Sequence, residues 1–212
     1  MRWAAVAALS VFVGCATTDR DALIYPDADR VEVVSAVVET APVASSNDAA
    51  DDPAIWINQK SVSESRIFGT DKQSGIAVYD LSGRLVEFIP AGRPNNIDIR
   101  QNLTSPAGRV DVAGFSERET DGVGWLSIGD EGTTKLVSIL PTDSPEPYGF
   151  CLGVTAGELV AYVTYKNGLI EQYQVDLADE FAMSLSDSYQ FDSQLEGCVQ
   201  DDQSQVVFVG EE

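Results

Sequence analysis

Cations, carboxylates and a tyrosine stand at the edges of short apolar runs in this chain. Lys72 follows FGTD, Arg118 follows VDVAGFSE and Lys166 follows VTY. Tyr148 opens YGFC, and NNID holds Asn95, Asn96 and Asp98. The carboxylates are Asp51 and Asp52 at the mouth of DDPAIWIN, Glu196 opening EGC, and Glu212 closing GEE. Lys and Arg are natural partners for phosphate oxygens. Carboxylates joined by backbone carbonyls are the ligands a hard cation such as calcium takes. Each feature also has a plainer reading. A charge at a strand end is usually a solvated turn residue, and an Asp pair is usually a turn or a cap. Asn-Asn is usually a turn, and a tyrosine ring can simply pack.

Composition narrows the chemistry. The 212 residues contain no histidine, which excludes Ser-His-Asp and Cys-His catalysis and His-based zinc sites. Carboxylates, Lys, Arg, Tyr or a bound metal must do any catalytic work. With 13 Lys plus Arg against 34 Asp plus Glu, the net charge is −21. That field repels nucleic acid and anionic lipid and draws multivalent cations, although solubility alone also accounts for it. An apolar fraction of 44% supports a real core and argues against wholesale disorder.

The elements that must position these groups read as strands. RIFGTD, GIAVYDL, RLVEFIP, NNIDIR, VDVAGF, GWLSIG, TKLVSIL, YGFCLGV, LVAYVTY, LIEQYQV and QVVFVGEE are short, β-rich and divided by turn residues. VEVVSAVVET is β-branched and carries no helix signal. DLADEFAMSLSD is the one helix candidate, and it reads as a loop or a single turn. A weak repeat relates GTDKQSGIAVYDL to VTYKNGLIEQYQVDL, placing Lys72 and Lys166 94 residues apart. That is two units of about 40–50 residues, the span of a four-stranded propeller blade. A β-sandwich would give similar strands without requiring the recurrence.

The N-terminus reads as an export signal. Arg2 precedes an apolar run, Trp3 to Val13, too short to span a bilayer, and Gly14-Cys15 follows. This is similar to a bacterial lipoprotein cleavage site, with residues 1–15 as the signal and Cys15 lipidated. Ordinary cleavage and free secretion is the alternative, and both place the mature protein outside the cytoplasm. Residues 16–31 read as a polar tether and 32–212 as the folded domain. Cys151 and Cys198 could pair in an oxidising compartment, but the reading favours two small buried thiols.

DDPAIWIN, GTDKQSGIAVYDLSGRLVEFIPAGRPNNIDIR, VDVAGFSER, PYGFCLG, VTYKNGLIEQYQVDL and LEGCVQDDQSQVVFVGEE, in that order, resemble the β-propeller phytases. The resemblance runs from Asp51 to Glu212. It implies an all-β fold, a β-propeller of four-stranded blades. Six blades are the family's number, of which this length supplies roughly four. It also implies a calcium-dependent phosphatase acting on phytate, myo-inositol hexakisphosphate, taken as its calcium complex. By resemblance, Asp51 and Asp52 bind calcium, Asp52 at a more structural ion. The carbonyls of Pro53 and Ile97 complete that neighbourhood, and Asn95 and Asn96 line it. Glu196 and Glu212 hold looser ions at the catalytic centre, while Lys72, Arg118, Tyr148 and Lys166 grip phosphate. The native state is expected to be a monomer.

Two departures matter. Gln73 stands where relatives often carry a second lysine, and Asn167 stands where some carry an acid. The length falls short of six blades, so the chain reads as a fragment that is poorly stable and largely inactive alone. A non-catalytic calcium- or phosphate-binding propeller is one rival reading. A calcium-dependent lactonase or esterase is another, and it has no need of Lys72, Arg118 and Lys166.

Overall fold

A computed structural model describes residues 34–211. The expectations for the signal, the tether, Cys15 and Glu212 lie outside them. The described part of VEVVSAVVET forms no strand. The first regular element is β1 (Ala50–Trp56), followed by β2 (Arg66–Asp71), β3 (Gly75–Asp80) and β4 (Leu85–Pro90). These form an antiparallel sheet in chain order. The pattern repeats with β5 (Pro94–Ser105), β6 (Gly108–Glu117), β7 (Gly122–Ile128) and β8 (Thr134–Pro141). It repeats again with β9 (Gly149–Thr155), β10 (Glu158–Thr164), β11 (Leu169–Asp176) and β12 (Ala182–Gln190). A fourth sheet pairs β13 (Leu195–Asp201) with β14 (Val206–Glu211). Among the described residues there are thus three full blades and half of another, close to the four expected.

The middle strands explain why their sequences read as unbroken apolar runs. In β3, β7 and β10 nearly every residue is buried, and β7 and β10 each have neighbouring sheets over both faces. One core joins the first two sheets, with Phe68, Ile76 and Val78 against Phe115 and Leu126. A second joins the next pair around Trp125, Phe150, Leu152 and Tyr173. The third sets Val160, Tyr162 and Ile170 against Leu195. Each such large side chain contributes roughly 1.5–3 kcal/mol by leaving water. β1, β5, β9 and β13 each end their sheet, and successive ones contact each other. Sheets stacked face to face with their first strands gathered inward are the blades of a β-propeller.

Two expectations are corrected. AMSLSD belongs to β12, an outer strand whose polar, exposed residues hid it from an apolar-run reading. Cys151 on β9 and Cys198 on β13 are joined in a disulfide, with their Cα atoms 5.5 Å apart. Their favoured reading as separate thiols fails because adjacent inner strands bring them together.

Candidate active site

The three cations picked out at run edges occupy one structural position. Lys72 directly follows β2, Arg118 directly follows β6, and Lys166 lies one residue beyond Tyr165 after β10. Each is therefore in the turn between the second and third strands of its blade. In the first two blades, a buried carboxylate ends the second strand and fixes that turn. Asp71 accepts hydrogen bonds from the backbone N–H groups of Ser45 and Gln73. Glu117 accepts from the N–H groups of Arg93, Glu119 and Thr120, each at 2.8 Å, and from the Thr120 hydroxyl. Burial alone pushes both carboxyls up, but these donors outweigh it and hold both below their ordinary values.

Arg118, Tyr148, Lys166 and Glu196 converge. The Lys166 ammonium lies 4.3 Å from the Tyr148 ring centroid, and the Arg118 guanidinium carbon lies 5.9 Å from it. The Tyr148 hydroxyl donates to Glu196 Oε1 at 3.1 Å. The backbone forces this meeting. Tyr148 N–H donates to the Thr164 carbonyl, and its own carbonyl accepts from Ser116 Oγ. The Thr164 hydroxyl donates to the Glu196 carbonyl. A Cβ on Gly149 would stand 1.9 Å from that carbonyl, so glycine permits the close approach. Arg118 also donates to Asn95 Oδ1, and Asn95 Nδ2 donates to Asn96 Oδ1. The cluster borders a cavity of about 360 Å³ that Arg93 also lines.

The Asp pair sits inside β1, at a bulge between Ala50 and Pro53. An inner edge strand tolerates the proline there because its open side has no ladder partner. Asp52, Pro53, Asn96, Ile97 and Asp98 line a cleft of about 480 Å³ between the inner strands. Asp52 Oδ2 accepts from the Ile97 N–H at 2.9 Å. Burial nevertheless raises its carboxyl above the ordinary value, with the Ile97 and Asn96 hydrogen bonds only partly offsetting that. Asp51 instead faces Lys72, whose ammonium lies 3.3 Å from Asp51 and 2.8 Å from Asp48. These two acids, Asp48 first, raise the lysine's affinity for its proton. Gln73 turns away to the Ser46 carbonyl.

A profile of the phytase family matches residues 3–212. The chain belongs to the phytase family. It is similar to a 3-phytase of Bacillus subtilis (strain 168), with 36% identity over 191 residues, 84% of this chain and 50% of that enzyme. It thus spans about half the length of this curated relative. Among solved structures, streptogramin B lyase matches with a TM-score of 0.50 at 15% identity. That match covers 80% of this chain and 50% of the other, and it is a likeness of fold alone.

Within this phytase-family chain, the inner cleft suits a hard cation in type. Its donors are oxygens, and the half-buried Asp52 carboxylate lacks full compensation for the cost of its burial. Among the described residues no three His, Cys, Asp or Glu side chains gather closely enough to form a metal site by themselves. An ion at Asp52 would therefore need further oxygens, and Pro53 and Ile97, whose carbonyls are candidates, line the same cleft. Sequence reading missed two participants. Arg93 precedes an inner strand rather than following a second strand. Arg100 bridges three blades, donating to Asp98, to Asp202 and to the carbonyls of Leu152 and Gln200. Asp98 in turn accepts from the Leu152 N–H, so it serves the blade contacts.

Proposed function

We propose that this chain carries the phosphate-gripping half of a calcium-dependent phosphatase that hydrolyses phytate, presented as its calcium complex. The observation behind this is two cations flanking Tyr148, whose hydroxyl reaches Glu196, beside a cavity. Membership of the phytase family and the similarity to an enzyme named 3-phytase support the same reading.

In this mechanism Lys166 and Arg118 take the phosphoryl oxygens and stabilise the charge that grows on them. The Tyr148 hydroxyl is oriented by Glu196 and offers a further polar contact. Asp52, with the Pro53 and Ile97 carbonyls and with Asn96 beside it, would hold calcium, and Asp51, Glu196 and Glu212 would hold further ions. Calcium, when bound, supplies positive charge against the phosphate and acidifies a water for attack on phosphorus. This resolves how a chain of charge −21 could take a polyanion. Lys72 engages phosphate once Asp48 and Asp51 release it, and calcium at Asp51 would favour that release.

We also propose that the protein works outside the cytoplasm, lipid-anchored at Cys15 or secreted. The Cys151–Cys198 disulfide supports this, since such bonds persist in oxidising compartments.

The test is phosphate release from phytate, with calcium and with a chelator. It is run on this chain and on a longer version that supplies two more strands to the fourth sheet. Calcium-dependent release is the expected result, stronger in the longer version. No release from either would sink the phosphatase reading and favour a binding module.

A further inference from the structure

The third blade holds its cation differently from the first two. Asp71 stands directly before Lys72 and Glu117 directly before Arg118, and each of these carboxylates fixes its own turn. Tyr165 stands in that place before Lys166. The carboxylate comes instead from Glu171 on β11, across the same turn and only 3% exposed. Its Oε2 accepts from the Tyr165 hydroxyl and, at 2.6 Å, from the Tyr173 hydroxyl. Its Oε1 accepts from the Ser144 hydroxyl at 2.6 Å. Among the described residues it forms no ion pair, so three hydroxyls offset the cost of burying its charge. Burial first, and then the bond to Glu171, push the Tyr165 hydroxyl well above its ordinary value, which keeps it protonated and donating.

Two segments of the site hang on this one carboxylate. The first is the turn that carries Lys166, which Tyr165 opens. The Tyr165 carbonyl accepts from the Gly168 N–H at 3.0 Å, and its N–H donates to the Leu169 carbonyl at 2.9 Å. The second is the stretch between β8 and β9 that leads to Tyr148. Ser144 ties that stretch to Glu171 directly, and the Asp143 N–H donates to the Tyr173 hydroxyl at 2.7 Å. The two segments meet where the Lys166 ammonium lies 4.3 Å from the Tyr148 ring centroid. A buried network whose polar groups are satisfied holds one arrangement. Glu171, Tyr165 and Tyr173 are all buried, and none of them lines the cavity that Arg118 and Lys166 border.

We infer that Glu171 is a positioning residue for phosphate release, holding Lys166 against Tyr148 through Tyr165 on one side and Ser144 on the other. Its kinetic consequence rests on the phosphatase reading. The placement of Lys166 stands separately.

Glu171→Gln keeps the shape of the side chain but sets an amide N–H₂ against hydroxyl donors, and Tyr165→Phe removes a single hydroxyl. Thermal melts verify that each variant folds, and where Glu171→Gln does not, Tyr165→Phe decides. The first readout is NMR of lysine-labelled protein. The Tyr148 ring should shift the Lys166 ε-methylene signal upfield, and its absence from Lys166→Ala assigns it. That upfield shift is expected to be lost in Glu171→Gln and weakened in Tyr165→Phe. The second readout is phosphate release from phytate with calcium, on whichever of the two chain lengths above is active. There Glu171→Gln is expected to lower kcat roughly tenfold, with KM changed less than about twofold. Glu171→Asp, which keeps the charge, recovers part of both effects. A Glu171 that merely stabilises the blade would lower the melting temperature and leave the shift in place. An upfield shift that persists in the folded variants therefore overturns the inference, whatever kcat does. So does a wild type with no upfield shift, or a lost shift with kcat unchanged. If the wild type releases no phosphate, the phosphatase reading fails, and the shift alone upholds or overturns the placement of Lys166 by Glu171.

Discussion

At the scale of residues, the site depends on how charges are held as much as on which charges are present. Lys166 has a ring beneath it and no carboxylate at ion-pair distance among the described residues, so its charge is directed at the cavity. Lys166→Ala is expected to lower kcat on phytate by about 10²–10³, the scale of a lost charge-stabilising donor. Tyr148→Phe keeps the ring but loses the bond to Glu196, and steady-state kinetics should show a smaller loss, about tenfold. Glu117 permits a pH test. Its folded carboxyl is held below the ordinary value of 4.5, so its stabilisation is complete above that value. It is lost as pH falls through the depressed folded value. Glu117→Gln should therefore cost about 1–3 kcal/mol at neutral pH, by urea denaturation. The gap from wild type should narrow as pH is lowered below 4.5 and through the depressed folded value. A gap that stays constant with pH would mean that the ionised carboxylate is not what holds the turn.

At the scale of elements, the inner strands are bracketed to one another. Arg100 and Asp98 tie β5 to β9 and β13, and the disulfide ties β9 to β13 across 47 residues of chain. Cys198 lies two residues from Glu196 and Cys151 three from Tyr148, so the bond holds together the strands that present the site. Closing a loop of that length contributes about 4 kcal/mol by the chain-entropy estimate. Replacing both cysteines with serine should lower the urea midpoint accordingly, and reduction of the wild type under denaturing conditions should do the same. A double variant as stable as wild type would show that the inner strands hold without the bond.

At the scale of the molecule, the fourth sheet stops at two strands among the described residues, and its face is open. Phe208 is 58% exposed and Val199 53%, and both line the cleft that Asp52 borders, while Tyr189 and Phe191 line a separate hollow with Val207 and Val209. An open edge with such a face invites association, even against the repulsion of a −21 charge. Analytical ultracentrifugation should find this chain associating as its concentration rises. Phe208→Lys should shift it towards monomer. A chain that stays monomeric at high concentration would mean that the exposed face is tolerated.

What sequence alone determined follows from local physics. Strands covered on both faces must be apolar throughout, so GWLSIG and LVAYVTY were legible as strands. The ends of such apolar runs marked Lys72, Arg118 and Lys166, and the weak repeat that relates the Lys72 and Lys166 segments pointed to a propeller. β12 escaped because an outer strand facing water needs no apolar run. The disulfide, the Arg100 bridge and Arg93 escaped for a different reason. Each depends on two strands that are distant in the chain becoming neighbours around the axis, and no local pattern encodes that distance. Whether a charge is paired was likewise decided only in three dimensions. Lys72 met Asp48 and Asp51, while Arg93, Arg118 and Lys166 were set around one cavity by backbone bonds to Glu117, Thr164 and their neighbours.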